Sequence, residues 1–549
     1  MDKKNKTKKI LGGAIGNCVH VAGVLNFLQL AREEGYETIS LGPAVPIKYF
    51  IETIKKEKPD IIAIGYRLST NACRKILLDF KEKLSKENLL NKNFVFGGTV
   101  STARIAQKTG MFKKIFDGTQ SLNEIISFLK NTTYKKEKKQ YSNNLVERIR
   151  NKYPYPLIRH HIGLSTVKKT IQAVKEIAKA GVLDVVSIAP DQTAQESFFR
   201  PSAQKNKTKG AGGVPIRTEN DLIEIYQATR RGNYPLVRCY SGTNDVFKWA
   251  EMLIKTIKNA WTAIPLFWYN QMDRRGPRSL FQTIQEAQSL IKWHANKGIP
   301  VEINDSHQWS LRYAPDAMAV ADAYLAAYNA KKLGVKYYIS QYMLNTPPQV
   351  SLIGDLAKML AKIEMIETLH DKSFQSFREV RPGLLSFPPD LDAAKGQLAF
   401  STMIGMALEP HIFHVVAYCE GQYAAGAKEI IESAKISNYI IKKYKQEFPI
   451  KTLLSDPAIE KKKEQLKKDA QAILTTIKKI GGGYEDPLTE PAVLIKAVKI
   501  GILDAPNLIN SQVANGKILT IPVKGNYVSI NPCTRQPISE KKRMKNIKL

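Results

Sequence analysis

The sequence predicts an α/β protein: a doubly wound, Rossmann-like N-terminal domain, then a TIM (β/α)8 barrel, then a small C-terminal extension. Two observations predict this fold. Short apolar runs of strand length alternate with helical patterns from the start of the chain, and eight more strand-then-helix units follow a polar interruption. Because 549 residues are too many for one hydrophobic core, we expect two or three domains.

Residues 1–130 are predicted to form the doubly wound domain. Spacings of about twenty to thirty residues between its strands suit parallel pairing through helical crossovers. The five candidate strands are Lys9–Gly16, Thr38–Gly42, Asp60–Tyr66, Asn93–Phe96 and Lys114–Asp117.

Residues 131–154 are predicted to be a linker, because the run TTYKKEKKQYSNN is charged and poor in apolar residues. Residues 155–446 are predicted to form the barrel, because eight βα units in about 290 residues are what a TIM barrel requires. The candidate strands are Pro156–Leu164, Leu183–Pro190, Pro235–Tyr240, Ala263–Tyr269, Pro300–Asn304, Lys336–Tyr342, Phe377–Phe387 and Ile412–Tyr418. Residues 447–549, a charged helix and two alternating strand-like runs, are expected to cap the barrel.

Composition narrows the function classes. The net charge of +33 comes from lysines spread along helix faces, without the interleaved aromatics of a nucleic-acid surface, so no nucleic-acid partner is expected. No long apolar run or signal peptide is visible, which predicts a cytoplasmic protein without a membrane partner. The cysteines are scattered and form no C-x-x-C, which argues against disulfides and a zinc site. They are Cys18, Cys73, Cys239, Cys419 and Cys533.

The most informative stretch is the turn after the first strand, where Cys18-Val19-His20-Val21-Ala22-Gly23 precedes a helical pattern. A histidine there lies at the carboxyl edge of a parallel sheet, where open α/β domains bind ligands, and an imidazole can hold a metal. The alternative is a histidine in a tight turn with no ligand.

The C-x-H-x-x-G run resembles the D-x-H-x-x-G motif of cobalamin-binding domains. The resemblance implies that His20 ligates the cobalt of cobalamin and that Gly23 lets the backbone approach the corrin tail. Gly97-Gly98 matches the G-G of that family, and Phe116-Asp117-Gly118-Thr119 matches its last strand end. By position, the resemblance assigns further cofactor contacts to Cys18, Gly65, Tyr66, Gly118 and Thr119.

The sequence departs from that family at two positions. Cys18 replaces the aspartate that hydrogen-bonds the far nitrogen of the histidine and makes it a stronger ligand. The third strand ends in Ile64-Gly65-Tyr66-Arg67-Leu68-Ser69 instead of the family's S-x-L motif.

The barrel sequence resembles the large subunit of glutamate mutase, also called methylaspartate mutase, whose cobalamin domain is usually a separate subunit. The resemblance covers most of the barrel in short matches and reaches A-x-x-x-G-x-x-D-x-P near the end of the chain. These matches include His161–Asp191, Pro235–Arg238, Trp268–Asn270, Gly298–Gln341 and Ala497–Pro506.

Three arginines bind the substrate carboxylates in that family. Arg238 matches one of them, whereas His161 and Gln195 stand at the other two positions. One guanidinium can hold one carboxylate bidentately, so we expect a small carboxylic acid other than glutamate as the substrate. The alternative for Arg238 is a salt bridge at the barrel mouth.

The resemblance also implies catalytic roles for Tyr269, which matches a substrate-contacting tyrosine, and for Glu420, near the adenosyl ribose. Ala417 stands where the family has a lysine, and the family's amine-binding glutamate has no counterpart in the fourth barrel strand. Core packing is the alternative for Tyr269, and satisfying loop backbone is the alternative for the other strand-end polar residues.

The implied activity is that of an isomerase, an adenosylcobalamin-dependent carbon-skeleton mutase that acts through a radical, and a homodimer is expected. One alternative is an aminomutase that also needs pyridoxal phosphate, for which no strand-end lysine is a clear candidate. The others are a methylcobalamin-dependent methyl carrier or transferase and a non-catalytic cobalamin-binding protein.

Overall fold

The computed structural model describes residues 7–131, 141–204, 209–210, 212–447 and 454–547. The chain divides into two compact units, Met1–Gln140 and Tyr141–Leu549. Within the described ranges, no helix combines the length and apolar character needed to cross a membrane.

The first unit is a five-stranded parallel sheet in the order β2-β1-β3-β4-β5, which confirms the predicted doubly wound fold. The strands are β1 (Lys9–Ile15), β2 (Glu37–Val45), β3 (Ile61–Tyr66), β4 (Phe94–Gly98) and β5 (Phe112–Phe116). The helices are α1 (Ala22–Glu33), α2 (Ile47–Glu57), α3 (Thr70–Lys86), α4 (Val100–Lys108) and α5 (Leu122–Asn131). β3 is fully buried because helices cover both faces of a doubly wound sheet. The carboxyl ends of β1, β3, β4 and β5 therefore meet at one edge.

The second unit contains an eight-stranded parallel sheet in the order β8-β7-β6-β13-β12-β11-β10-β9. Its strands are β6 (Leu157–Ile162), β7 (Val185–Ile188), β8 (Leu236–Cys239), β9 (Thr262–Ala263), β10 (Val301–Glu302), β11 (Tyr337–Leu344), β12 (Gln375–Pro382) and β13 (Ile412–His414). The backbone N–H of Ala260, just before β9, donates to Val237 O of β8 at 2.9 Å. This bond joins the two outer strands, so the predicted barrel is confirmed.

The helices of this unit lie between and after the strands. They are α6 (Leu145–Lys152), α7 (Val167–Ala180), α8 (Gln192–Ser197), α9 (Glu219–Thr229), α10 (Val246–Ile257), α11 (Leu280–Asn296), α12 (Ser306–Leu311), α13 (Asp316–Lys332), α14 (Leu352–Glu367), α15 (Leu391–Met406), α16 (Ala427–Glu447), α17 (Pro457–Ile480), α18 (Pro491–Lys499) and α19 (Glu540–Asn546).

The fourth barrel strand is much shorter than the predicted Ala263–Tyr269. Pro265 has no N–H to donate to a neighbouring strand. The next two amides, of Leu266 and Phe267, donate to the buried carboxylate of Asp305 at 2.8–3.1 Å. A side chain thus replaces the strand ladder, and the chain leaves the sheet after Ala263.

The predicted linker is only partly described, since residues 132–140 lie outside the described ranges. Its second half contains α6, whose Leu145, Val146 and Ile149 are buried against Leu157 and Trp261 at the amino-terminal end of the barrel. Three apolar residues at helical spacing are enough to make this charged segment part of the fold.

The C-terminal extension packs on the barrel helices. Ile459, Ile473 and Ile477 of α17 are fully buried in the same core as the helices α13 and α14. A hairpin of β14 (Thr520–Val523) and β15 (Asn526–Ser529) follows, and Asn526 donates to the buried Asp316 at 2.9 Å.

Candidate cofactor cavity and barrel mouth

A cavity of about 600 Å³ opens at the carboxyl edge of the N-terminal sheet. Its walls come from the ends of β3, β4 and β5 and from the loop and helix that follow β1. Six of the predicted cofactor contacts besides His20 line it: Gly23, Gly65, Tyr66, Gly97, Gly98 and Gly118. Apolar and glycine surface dominates the lining, as is typical of cofactor sites.

His20 lies in the loop between β1 and α1, at the rim of this cavity. Its side chain is exposed, and its ring makes no hydrogen bond to the rest of the described chain. Both ring nitrogens are therefore available to a ligand, and one of them can bind a metal.

Cys18 lies elsewhere, although it precedes His20 by only two residues. It is fully buried in the core of the unit with Tyr66 and Cys73, and it does not line the cavity. The buried thiol gives His20 no partner, so the motif keeps the histidine without the acceptor that would orient it.

The two glycines at the end of β4 lack a side chain for different structural reasons. A side chain on Gly98 would lie 2.5 Å from Thr102 Oγ1 and closer still to the Tyr66 carbonyl oxygen, so that position admits no Cβ. A Cβ on Gly97 would meet no atom within 4 Å, although Gly97 lies on an inner strand. The space above Gly97 is the cavity, which a larger residue there would fill.

The outer wall is formed by the turn after β5. Gly118 adopts φ +93°, a left-handed conformation that favours glycine. Thr119 donates its hydroxyl to Asp117 at 2.6 Å and does not line the cavity. This hydrogen bond and the Thr119 backbone N–H lower the pKa of Asp117, which is therefore ionised. The role of Thr119 is to hold the turn.

The barrel interior has three layers. The bottom layer, at the amino-terminal end, is an apolar plug that includes Leu157, Val185, Leu236, Ile339, Phe377 and Ile412. The middle layer is polar and includes the charged residues Arg159, Arg238, Glu302 and Glu379 together with Gln341 and His414. The upper layer contains His161, Tyr240 and Arg381. Strand alternation places residues two apart in successive layers, as in Leu157, Arg159 and His161 of β6.

The middle layer is held together by two buried ion pairs. Arg159 pairs with Glu379, and Arg238 donates to Glu302 at 2.8 Å. Both guanidinium groups lie over the ring of Trp261, whose Nε1–H donates to Glu302 at 2.8 Å. Arg238 is fully buried, so a substrate carboxylate could reach it only if the side chains that cover it moved.

His161 sits directly above this layer. Its Nε2 lies 2.7 Å from an Arg159 nitrogen and 2.8 Å from the Tyr240 hydroxyl. Burial and the Arg159 charge lower the pKa of His161 well below its usual value. Because a guanidinium can only donate, Nε2 is the acceptor, and the proton is on Nδ1. His161 therefore presents a neutral ring with one N–H donor.

Glu420 lies near His161 across a second cavity, of about 340 Å³, at the barrel mouth. Its Oε1 is 3.0 Å from His160 Nε2. Burial alone would raise the pKa of Glu420, but the hydrogen bond with His160 and the charge of Arg381 lower it. Glu420 is therefore an ionised acceptor.

Gln195 and Tyr269 do not join these residues. The Gln195 side chain donates to the Pro190 carbonyl at 3.0 Å. Tyr269 adopts φ +66°, and the Arg275 guanidinium lies 3.9 Å from the centre of its ring. Burial raises the pKa of Tyr269, which stays protonated.

Sequence reasoning missed Arg159, Tyr240, Glu302, Glu379 and Arg381. The signal that could have found them is the alternation of side chains along a strand, which places every second residue on the same face, and these strands were predicted correctly. His161 implies Arg159 one layer below it, and Phe377 implies Glu379 and Arg381 above it.

Comparisons with known proteins give two family matches. Residues 8–126 match the B12 binding domain, and residues 136–545 match the methylaspartate mutase E chain (MutE). Trimethylamine corrinoid protein 1 of Methanosarcina acetivorans is 31% identical over 115 residues, which are 20% of this chain and 52% of that protein. The chain thus spans about half the length of this curated relative.

Two solved structures are also similar. A cobalamin-binding protein from Desulfitobacterium hafniense has 22% identity and a TM-score of 0.20, and the match covers 23% of this chain and 58% of that one. A Rubisco-like protein from Rhodopseudomonas palustris has 11% identity and a TM-score of 0.31, covering 56% of this chain and 70% of that one. At these scores neither likeness supports an argument about this chain.

Proposed function

The chain belongs to the methylaspartate mutase E chain family and carries its own B12 binding domain, and on this premise we propose that it is an adenosylcobalamin-dependent carbon-skeleton mutase. Its substrate would be a small carboxylic acid other than glutamate. A cobalamin-dependent, mutase-like protein is what the family matches support; the adenosyl form, the isomerase activity and the substrate are the proposal.

The residues of the N-terminal unit fit a cobalamin. The open space above Gly97 and the left-handed turn at Gly118 leave a cavity of about 600 Å³ at the sheet edge. His20, exposed at its rim, would ligate cobalt. When bound, adenosylcobalamin supplies the carbon-centred radical chemistry of a mutase.

The residues of the barrel would bind the substrate and keep water out. The apolar plug closes the barrel from below, and the two buried ion pairs leave no net charge between Arg159, Arg238, Glu302 and Glu379. Above them, His161 offers a neutral N–H donor and Glu420 an ionised acceptor. A neutral donor and an ionised acceptor at the mouth suit a reaction that needs positioning more than acid–base catalysis.

The observation that carries the proposal is the Gly97 cavity with a free histidine at its rim, in a chain whose barrel matches the E chain. The test is anaerobic incubation of the full-length protein with adenosylcobalamin and a panel of linear and branched carboxylic acids. We expect one acid to produce an electron-spin signal of Co(II) coupled to an organic radical. Cobalamin binding without any such signal across the panel would contradict the mutase proposal.

A second candidate is a methyl carrier, which the similarity of the N-terminal unit to trimethylamine corrinoid proteins favours. It predicts that a thiol or an amine removes the methyl group of bound methylcobalamin, with no need for the adenosyl form. The same protein preparation distinguishes the two candidates. Binding of both cofactors without either reaction would point to a non-catalytic cobalamin-binding protein.

A further inference from the structure

Arg381 occupies the upper layer of the barrel interior. It lies on β12, where Phe377 belongs to the apolar plug and Glu379 pairs with Arg159 in the middle layer. The alternation of strand side chains places Arg381 above Glu379 on the same inner face. Unlike Arg238, which is fully buried, Arg381 is partly exposed.

Arg381 differs from the other arginines of the barrel strands in lacking a carboxylate partner. Among the described residues, Arg159 pairs with Glu379, Arg238 with Glu302, and the outward-facing Arg378 with Glu367. Arg381 donates its Nε–H to the Pro382 carbonyl at 3.2 Å, and its two terminal nitrogens make no hydrogen bond within the described chain. Its bidentate face is therefore free.

The groups around Arg381 do not neutralise it. Its charge helps to lower the pKa values of His161, His307 and His414, which burial already lowers and which therefore stay neutral. The charge of Arg381 also helps to lower the pKa of Glu420, but Glu420 pairs with His160 and lies beyond ion-pairing distance of Arg381. A partly buried cation without a counter-ion is a binding site for an anion.

We propose that Arg381 anchors the substrate carboxylate and that the substrate carries only one carboxylate. This inference rests on the proposed function and refines its substrate class. A guanidinium holds a carboxylate through two parallel N–H donors, which Arg381 offers and Arg238 does not. A second carboxylate would find no unpaired arginine on the described barrel strands, whereas His161 suits an uncharged group.

The test is calorimetric titration of the full-length, cobalamin-loaded protein with butanoate, 2-methylpropanoate and glutarate. We expect at least one of the two monocarboxylates to bind, and glutarate to bind no more tightly. Arg381→Gln should weaken that binding at least tenfold, and Arg381→Lys, which keeps the charge but loses the bidentate geometry, should weaken it less. Arg378→Gln, on the same strand but facing outward, is the matched control and should change it less than twofold.

Three results would overturn the inference: no binding of either monocarboxylate, glutarate binding tenfold more tightly than both, or equal affinity of wild type and Arg381→Gln. Tryptophan fluorescence during urea unfolding checks that each variant is folded, because all five tryptophans lie in the barrel unit. Radical formation is measured separately. If a radical forms but Arg381→Gln binds the acid normally, the inference fails and the proposed function stands. If Arg381 controls binding but no radical forms, the inference stands and the proposed function fails.

Discussion

The cofactor cavity and the barrel interior are built in opposite ways. The cavity exists because side chains are missing: Gly97 has open space where a Cβ would project, and Gly118 provides a turn with positive φ. The barrel interior is filled by charged side chains that neutralise one another, Arg159 with Glu379 and Arg238 with Glu302. Added volume in the cavity should therefore hinder ligand binding, whereas removing one member of a buried ion pair in the barrel should destabilise the fold.

The difference also determines which residues remain free to act. In the N-terminal unit His20 is such a residue, exposed at the rim of the cavity with a ring that makes no hydrogen bond within the described chain. In the barrel most charged groups on the described strands are paired, so the informative residue there is Arg381, whose terminal nitrogens make no hydrogen bond. Four experiments break or sharpen this contrast.

The largest expected effect is on the stability of the barrel. Arg159→Met removes the partner of Glu379 and leaves a buried carboxylate unpaired, which should lower the free energy of unfolding by about 3–5 kcal/mol. Urea unfolding followed by tryptophan fluorescence reports this value for the barrel, which holds all five tryptophans. Lys255→Gln, which breaks an exposed ion pair with Glu219 in the same unit, is the control and should cost less than about 1 kcal/mol. If both variants lost the same free energy of unfolding, the buried ion pair would stabilise the barrel no more than an exposed one.

The second effect concerns the buried histidines of the barrel. Burial lowers the pKa of His294 to about 4 from a usual value of 6.5. Between these two values His294 is protonated in the unfolded chain but neutral in the folded chain. The free energy of unfolding therefore decreases as the pH falls from about 6.5 to about 4.

His294→Leu should remove about 3 kcal/mol of that loss, since each pKa unit corresponds to about 1.4 kcal/mol. The measurement is urea unfolding of the barrel at pH 7 and at pH 4. His20→Ala, in the other unit and exposed, should leave the pH dependence of the barrel unchanged. If both variants reduced the pH dependence of barrel stability equally, the contrast between the buried and the exposed histidine would be wrong.

The third effect concerns cavity volume. Gly97→Phe places a ring in open space, so it should keep the fold but weaken cobalamin binding by roughly a hundredfold, or about 3 kcal/mol. Absorbance titration of the unloaded protein with cobalamin gives the affinity.

Gly98→Ala is the matched variant, because its Cβ would overlap the Tyr66 carbonyl region instead of the cavity. It should destabilise the N-terminal unit by about 1–3 kcal/mol, measured by circular dichroism during unfolding. If Gly97→Phe bound cobalamin normally, the cavity would not be the cofactor site.

The smallest effect concerns the loop that carries His20. Tyr66 donates its hydroxyl to Asn17 Oδ1 at 3.0 Å and so ties the end of β3 to this loop. Tyr66→Phe should cost about 0.5–1.5 kcal/mol in unfolding free energy and weaken cobalamin binding by less than about tenfold. Tyr49→Phe, at an exposed position, should change neither quantity. A larger loss of affinity for Tyr66→Phe would show that the tyrosine contacts the cofactor itself.

The sequence predicted the strands of both sheets because hydrophobic period and spacing are local signals. The resemblance to cobalamin-binding domains also identified five glycines and one tyrosine that line the cavity. The sequence did not foresee the short fourth barrel strand, whose amides are taken by Asp305, 38 and 39 residues further along the chain. Nor did it reveal the partner of Arg159, which is 220 residues away. Pairings across a barrel depend on register and layer, which no local pattern encodes.

Ligation of cobalt by His20 is the central claim, and the electron-spin spectrum of the Co(II) form tests it most directly. The full-length protein is loaded with cobalamin, reduced to Co(II), and compared with His20→Ala. We predict nitrogen superhyperfine splitting from one axial imidazole in the wild type and its loss in the variant. Uptake of no cobalamin, or an identical spectrum from both proteins, would contradict the account and leave a barrel of unknown chemistry.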